Sequence, residues 1–306
     1  MGERRRVGAY GVCRDADGRV LLARGSAWCP FPGVWQLPGG GLEHGEHPAH
    51  AVVRGFAEET GLTVAVTGLR AVLADVTTFP GSGDAEHTDR LVFDVAVRGG
   101  EMRPEPAGGS DAVAWFTTAE AAAVPLMPFT AEWLGVPVAP LPPGLPLPPR
   151  EPAAAPSADR RQRFGAYGLV TDPADRVLLT MIADGYPGAG LWHLPGGGTD
   201  HGEQPVAALL RELVEESGQL GRVAELIGVD TLHNPAALGP EGHPIDWHSV
   251  RVVYRVAVDT PTEPRVTESA GGSTARAAWF TPHQLVGLPL TEIAARTLAG
   301  PADQAR

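Results

Sequence analysis

The second half of the chain contains a segment in which apolar residues recur every three or four positions. These residues are Val206, Leu209, Leu210 and Leu213, and their spacing places them on one face of a helix. Pro205 near the start and Gly218 just after the end are typical boundary residues of helices. The pattern therefore predicts a helix over residues 204–217 with one buried face.

Shorter apolar runs predict β-strands in both halves of the chain. RVLLAR from Arg19 and RVLLTM from Arg176 are short β-prone runs, whereas VFDVAV from Val92 and VVYRVAV from Val252 are longer and alternate. Two segments after the last strand of each half predict further helices, TAEAAAV from Thr118 and TPHQLVG from Thr281. Each half therefore predicts an α/β/α arrangement with a mixed sheet.

The two halves are copies of one another. The motif GAYG at Gly8 returns at Gly165, and LPGGG at Leu37 returns at Leu194, both 157 residues later. AWFT also occurs in each copy. Residues 138–162 between the copies are rich in Pro and Ala, which is typical of a stiff linker. We therefore predict a first domain over residues 1–137, a linker over 138–162 and a second domain over 163–306.

Composition narrows the class of protein. The chain has 306 residues, is 43% hydrophobic and carries a net charge of −12, which suits two globular domains and argues against a general nucleic-acid or anionic membrane surface. Two cysteines are too few for a disulfide framework. The arginine run near the amino terminus is not followed by an apolar segment of the kind found in secretory signals. We expect a cytoplasmic protein without membrane or nucleic-acid partners.

An acidic cluster follows from the helical spacing. Glu212, Glu215 and Glu216 stand three and four residues apart, so they project from one side of the predicted helix, with Arg211 as the neighbouring cation. Like charges so placed repel one another, and carboxylate oxygens suit a hard divalent ion such as Mg²⁺ or Mn²⁺. A metal site is one interpretation of this cluster, and a solvated acidic face is the other.

The surrounding residues resemble the signature of the Nudix hydrolase family. The matching positions are Gly197, Glu203, Arg211, Glu212, Leu213, Glu215, Glu216 and Gly218. Gln219 departs from the signature, because an apolar residue is usual there. The resemblance extends through the repeat to nearly the whole chain outside the linker. It implies two tandem Nudix-type α/β/α sandwiches and metal-dependent hydrolysis of a diphosphate linked to another group.

The resemblance also implies roles for individual residues. Glu212 is placed as the general base and a metal ligand, beside two further metal ligands, Glu215 and Glu216. Glu203 is expected to brace the preceding loop against Arg211. The glycines of that loop are expected to leave room for phosphates, and they are Gly196, Gly197 and Gly198. Glu268 stands where family members often add an acidic metal ligand, although an exposed loop acid is the alternative, and Glu105 is its counterpart in the first copy.

The first copy keeps most of the signature but lacks the expected base. Its matching residues include Glu46, Arg54, Glu58 and Glu59, whereas Gly55 occupies the position of Glu212. Glycine lowers helix stability, so helix formation does not explain its presence. Either this degenerate first site has lost hydrolysis while keeping a metal or ligand site, or a loop supplies its base.

Several other residues are candidates for substrate contacts. Tyr167 and Trp192 could stack on a base, although aromatic residues at strand ends commonly belong to the core. His248 and Arg251 could contact phosphate, with a strand-surface ion pair as the alternative. His44, His47 and His50 lack the spacing of a zinc site and are interpreted as surface histidines.

The expected activity is hydrolysis of a nucleoside di- or triphosphate, or of a related nucleoside diphosphate-linked compound, with Mg²⁺ or Mn²⁺ in the second domain. The first domain would act as the partner in an intramolecular pseudo-dimer, within a monomer or a homodimer. Two alternatives stay open: a nucleotide-sensing protein with vestigial hydrolysis, and a hydrolase of an isoprenoid or other non-nucleotide diphosphate.

Overall fold

The computed structural model describes residues 3–79, 84–106, 108–142, 144, 159–238, 242–267 and 272–300. The chain divides into two compact units. Unit 1 comprises Met1–Gln162 and His233–His248, and unit 2 comprises Arg163–Leu232 and Ser249–Arg306. The repeat places His233–His248 in the second copy, yet this segment groups with unit 1.

The first copy contains seven strands and three helices within its described residues. The strands are β1 (Glu3–Val12), β2 (Val20–Gly25), β3 (Trp35–Gln36), β4 (Gly39–Gly41), β5 (Leu62–Thr78), β6 (Ala85–Gly100) and β7 (Ser110–Phe116). The helices are α1 (Pro48–Thr60), α2 (Thr118–Ala121) and α3 (Pro128–Leu134). One sheet has the order β4-β1-β6-β5, and a second has the order β3-β2-β7.

The larger of these sheets is mixed. Strand β1 runs parallel to β6 and antiparallel to β4, while β5 and β6 are antiparallel. Helix α1 packs against β1, β4 and β5, and its Val52 and Phe56 are fully buried. The packing holds the helix beside the glycine-rich strand β4.

The second copy repeats this order of elements. Its strands are β8 (Asp159–Thr171), β9 (Val177–Ile182), β10 (Trp192–His193), β11 (Gly196–Gly198), β12 (Arg222–Leu238), β13 (Pro244–Ala257) and β14 (Thr274–Phe280). Its helices are α4 (Pro205–Ser217), α5 (Pro282–Leu285) and α6 (Glu292–Ala299). The main strand order is β10-β9-β8-β13-β12, with β11 paired to β8 and β14 paired to β9.

The predicted α/β fold with mixed sheets is confirmed. The helix predicted over residues 204–217 is α4, and the short helices predicted after the last strands are α2 and α5. Helices α3 and α6, of seven and eight residues, were not predicted from the sequence. Among the described residues, no helix is long and apolar enough to span a membrane.

Candidate active site

Helix α4 positions the acidic residues of the second copy. Its Ala208, Leu209 and Leu213 are fully buried, so the helix is fixed along one face. Arg211 and Glu212 are partly exposed, and Glu212 projects from the edge of the buried face, because it stands four residues after Ala208 and three after Leu209. The apolar spacing thus sets the direction in which the acidic residues project.

Arg211 connects the helix to the loop before it. Its Nε and Nη2 atoms donate to the two oxygens of Glu203, each at 3.0 Å, and Nη2 also donates to the carbonyl of Gly198 at 3.2 Å. These bonds to Glu203 are the main reason that the pKa of the guanidinium lies above its usual value. A two-point contact between arginine and a carboxylate is strong and directional, so the loop is held in one position.

The same guanidinium reaches two more carboxylates. Nη1 of Arg211 donates to Glu212 Oε1 at 3.1 Å and to Glu215 Oε2 at 3.2 Å. The structure therefore brings Glu203, Glu212 and Glu215 together around one cation. Negative charge exceeds positive charge within this group.

Glu216 lies on the buried side of the helix and is 4% exposed. The backbone N–H of Gly196 donates to its Oε2 at 2.8 Å, and the hydroxyl of Thr274 donates to its Oε1. A buried carboxylate is costly unless it is hydrogen-bonded. These two donors fix Glu216 at the junction of helix α4, the glycine loop and strand β14.

Close contacts require glycine in the loop before helix α4. Gly196 has φ of 132°, and a Cβ there would stand 2.2 Å from the carbonyl oxygen of Ala166, so no other residue fits. A Cβ at Gly197 would stand 2.5 Å from Oε1 of Glu212. The loop therefore provides space that the Glu212 carboxylate occupies.

The donor set of this site suits a divalent cation. Four carboxylates, those of Glu203, Glu212, Glu215 and Glu216, surround Arg211 or the adjacent loop, and oxygen-rich donor sets favour Mg²⁺ or Mn²⁺. Arg211 donates to one oxygen of Glu212 and one oxygen of Glu215, and because a carboxylate has several acceptor sites, these bonds are compatible with a metal. Glu268, the other expected ligand, lies outside the described residues.

The four candidate substrate contacts occupy different environments. Tyr167 is partly buried and meets His193 edge-on at 5.0 Å between ring centroids. Trp192 is 4% exposed and packs against Phe280 in the core. Arg251 pairs with Asp230, and His248 is buried within unit 1.

Burial also changes the protonation of His193, which sequence reasoning did not single out. Burial and the nearby Arg251 lower the pKa of its imidazole to about 4, so the ring is neutral at neutral pH. Its Nδ1 lies 2.7 Å from the hydroxyl of Thr291. The ring contact with Tyr167 gave no recognisable signal in the sequence.

Two other residues of the site have contacts that the sequence did not predict. Thr274 follows a GGS sequence that occurs in both copies, and nothing there indicates the bond of its hydroxyl to Glu216. Gln219 is 1% exposed, and its side-chain amide both donates to and accepts from Thr262. The polar residue in the apolar slot is therefore fully bonded, and it fastens the loop after β13 to the end of helix α4.

The first copy reproduces the arginine brace, the set of hydrogen bonds by which Arg211 holds the loop before helix α4 in the second copy. Arg54 donates to Glu46 at 2.9 and 2.7 Å, to the carbonyl of Gly41 at 3.0 Å and to Glu58 at 3.1 Å. The N–H of Gly39 donates to Glu59 at 3.0 Å, as Gly196 does to Glu216. The two copies therefore share the hydrogen bonds that connect the helix to the glycine loop.

Gly55 lies close to the glycine loop of the first copy. A Cβ at Gly55 would stand 3.1 Å from backbone atoms of Gly39. A larger residue at this position would therefore press on the loop.

A cavity of about 290 Å³ adjoins the first site. Its wall includes Tyr10, Glu59 and Arg90, together with Phe31 and Phe79, whose rings stack at 6.3 Å. Burial raises the pKa of Glu59 to about 8, and the carboxylate of Glu105 adds to this rise. The first copy therefore keeps a pocket with aromatic, cationic and acidic groups.

Both copies match the description of the NUDIX domain, over residues 4–134 and 161–299. An ADP-ribose pyrophosphatase of Methanocaldococcus jannaschii is 37% identical over 89 residues, which is 29% of this chain and 50% of that protein. A MutT-like protein of Streptomyces ambofaciens is 36% identical over 114 residues, 37% of this chain and 65% of that protein.

A third relative is a putative 8-oxo-dGTP diphosphatase 3 of Mycobacterium tuberculosis. It is 35% identical over 143 residues, which is 44% of this chain and 64% of that protein. The chain therefore spans between half and 65% of the length of these three relatives.

Proposed function

Because this chain belongs to the NUDIX domain family, which it matches over both of its copies, we propose that it is a metal-dependent pyrophosphohydrolase. The chemistry takes place in the second copy. The observation that carries this assignment is the position of Glu212, whose carboxylate lies over Gly197 in the second copy, whereas the first copy has Gly55 and no carboxylate at that place.

Each residue of the second site has a physical role in this proposal. Arg211 and Glu203 hold the loop of Gly196, Gly197 and Gly198 so that its backbone accommodates the phosphates. Glu212 orients a water molecule and accepts its proton, and the water attacks phosphorus and breaks the bridging P–O bond. Positioning and electrostatics provide most of the rate acceleration in such reactions.

Glu212, Glu215 and Glu216 are the residues that would hold Mg²⁺ or Mn²⁺, with Glu268 as a further ligand. The bound ion supplies positive charge that offsets the charge of the phosphates. Glu216 is already fixed by Gly196 and Thr274, so it provides a stationary oxygen near the phosphate loop.

The substrate class is a nucleoside diphosphate-linked compound or a nucleoside triphosphate. Relatives named for ADP-ribose and for 8-oxo-dGTP support this choice, since both compounds join a nucleoside to a chain of phosphates. Tyr167 and Arg251 are the proposed substrate contacts. Trp192 supports the site from the core.

The first copy binds metal or ligand without hydrolysis. Its cavity beside Glu59 and Arg90 favours this role and keeps the nucleotide-sensing alternative in view. We propose domains over residues 1–137 and 163–306, joined by the linker 138–162, in a cytoplasmic protein that acts on small molecules.

The proposal is tested with a panel of diphosphates incubated with the full chain and Mg²⁺ or Mn²⁺. The panel contains ADP-ribose, 8-oxo-dGTP, unmodified nucleoside triphosphates and an isoprenoid diphosphate, and products are separated by anion-exchange chromatography. We expect metal-dependent cleavage of a nucleoside compound that stops when a chelator is added. Nucleotide binding without any turnover would favour the sensor, and cleavage of the isoprenoid compound alone would favour the non-nucleotide hydrolase.

A further inference from the structure

Unit 1 contains a cluster of two histidines and one aspartate. Nε2 of His233 lies 2.8 Å from Oδ1 of Asp246, and Nε2 of His44 lies 3.1 Å from the same oxygen. One ligand atom from each of the three residues lies within 4.8 Å of the others. A search of the described residues for three or more His, Cys, Asp or Glu side chains with ligand atoms this close together finds this cluster.

The backbone around the cluster is fitted to these side chains. The ring of His233 packs against Gly45, where a Cβ would stand 2.8 Å from the imidazole Nδ1. His44 and Asp246 have side chains that are 13% and 14% exposed, while His233 is 39% exposed. The cluster is therefore half-buried and open to solvent on the side of His233.

A third histidine, His248, lies beside the cluster. The ring centroid of His248 lies 5.5 Å from that of His44 and 6.1 Å from that of His233. Its Nδ1 lies 3.0 Å from the side-chain nitrogen of Gln162. Nε2 of His44 is also buried and makes no hydrogen bond within the described structure, although it lies close to Asp246.

The ligand atoms of this cluster differ from those of the acidic site on helix α4, which are all carboxylate oxygens. Imidazole nitrogens and a carboxylate suit Zn²⁺ and similar transition metals, whereas oxygen-only sets suit Mg²⁺. Ligand atoms around a tetrahedral zinc ion are roughly 3.4 Å apart, given bond lengths of about 2.1 Å. Nε2 of His233 and Nε2 of His44 lie 2.8 and 3.1 Å from Oδ1 of Asp246, so these two separations would widen by about 0.6 and 0.3 Å.

We propose that His44, His233 and Asp246 form a binding site for Zn²⁺ or a similar transition-metal ion. This site is separate from the acidic site on helix α4. Three protein ligands leave one coordination position for water or another small ligand. Arg160 is a charged neighbour of the cluster: its Nε lies 3.5 Å from the second oxygen of Asp246, and its side chain is 58% exposed. It balances the carboxylate without blocking the oxygen that faces the histidines.

The test uses Co²⁺ as a spectroscopic probe of the metal-free full chain in the presence of saturating Mg²⁺. Mg²⁺ occupies the oxygen-only site, and Co²⁺ bound by imidazoles in four-coordinate geometry absorbs strongly in the visible range, unlike octahedral Co²⁺ with oxygen ligands. We expect one equivalent of Co²⁺ to produce such a band and Zn²⁺ to displace it.

Single substitutions then assign the ligands. His44→Ala, His233→Ala and Asp246→Asn should each abolish the band and weaken Zn²⁺ binding, measured calorimetrically, by more than about 100-fold. Even changes to the partners of metal ligands weaken binding ~10- to 100-fold. His50→Ala, which alters an exposed histidine of unit 1, is the matched control and should bind as the wild type does.

Circular dichroism without metal checks that each variant is folded. A second measurement uses the wild-type chain alone. In nitrogen-detected NMR spectra of the histidine rings, Zn²⁺ should shift the Nε2 resonances of His44 and His233. The proposal is overturned if Zn²⁺ leaves both resonances in place, or if folded variants keep the band and the wild-type affinity. The cluster would then be a hydrogen-bonded contact without a metal role.

Discussion

The carboxylate of Glu212 lies directly against Gly197, so that a Cβ added to Gly197 would stand 2.5 Å from its Oε1. In the first copy the equivalent glycine, Gly40, has no atom within 4 Å of such a Cβ among the described residues. The same loop position is therefore coupled to a carboxylate in one copy and faces open space in the other.

This contact predicts the effect of Gly197→Ala. The added methyl group meets the end of a flexible side chain, so the domain should fold while Glu212 is displaced. We expect turnover of the best panel substrate to fall at least about tenfold, because small displacements of catalytic groups are costly. Gly40→Ala is the matched control and should retain wild-type turnover. Equal turnover in both variants would show that the position of Glu212 is unimportant.

A second prediction concerns Gly55→Ala in the first copy. Alanine normally stabilises a helix by about 0.5 to 1 kcal/mol relative to glycine. Here its Cβ would stand 3.1 Å from the backbone of Gly39, and overpacking typically costs about 1 to 3 kcal/mol. We expect a net loss of about 1 kcal/mol in the free energy of unfolding, measured by urea denaturation of the full chain. A gain in stability would mean that the loop yields readily.

The sequence predicted the main elements because their signals are local. The apolar period of α4, its flanking Pro205 and Gly218, and the repeat over 157 residues all lie in short or directly comparable stretches. The close approach of Gly55 to Gly39 depends instead on how a helix packs against a loop. No spacing rule in the sequence reports a distance of this kind.

The histidine cluster was missed for a related reason. His44 was interpreted as a surface histidine, because its neighbours His47 and His50 do not form a zinc motif. Its partners His233 and Asp246 are nearly two hundred residues away in the chain. Only the tertiary arrangement brings ligand atoms of these side chains within 4.8 Å of one another.

A third prediction concerns the arginine brace. Glu203→Gln keeps the shape of the side chain but removes the charge that binds Arg211 at two points. Because Arg211 also holds Glu215, metal affinity or turnover should fall ~10- to 100-fold, the usual effect of altering a partner of metal ligands. Glu46→Gln makes the same change in the first copy and should alter turnover by no more than a few-fold. A larger effect of Glu46→Gln would place the chemistry in the first copy.

A fourth prediction concerns the pH dependence of stability. Burial raises the pKa of Glu59 from 4.5 to about 8, so the folded state holds this proton more tightly than the unfolded chain. The resulting stability is complete below about pH 4.5 and is lost as the pH rises through 8. With a chelator present, Glu59→Gln should therefore reduce the fall in melting temperature between pH 5 and pH 8.

The control for this measurement is Glu58→Gln, which changes the exposed neighbouring carboxylate and should leave the fall in melting temperature as it is in the wild type. Identical pH profiles for the wild type and Glu59→Gln would show that Glu59 is ionised in the folded protein across this range.

The central claim is that Glu212 in the second copy is the general base, and Glu212→Gln tests it most directly. The substitution keeps the length of the side chain but removes its basicity, so turnover should fall by ~10²- to 10⁴-fold, with a much smaller change in substrate affinity. Rates are measured on the full chain at saturating Mg²⁺, beside Glu58→Gln, which should stay within a few-fold of wild type. Retained activity in Glu212→Gln together with a large loss in Glu58→Gln would contradict the assignment and place the working site in the first copy.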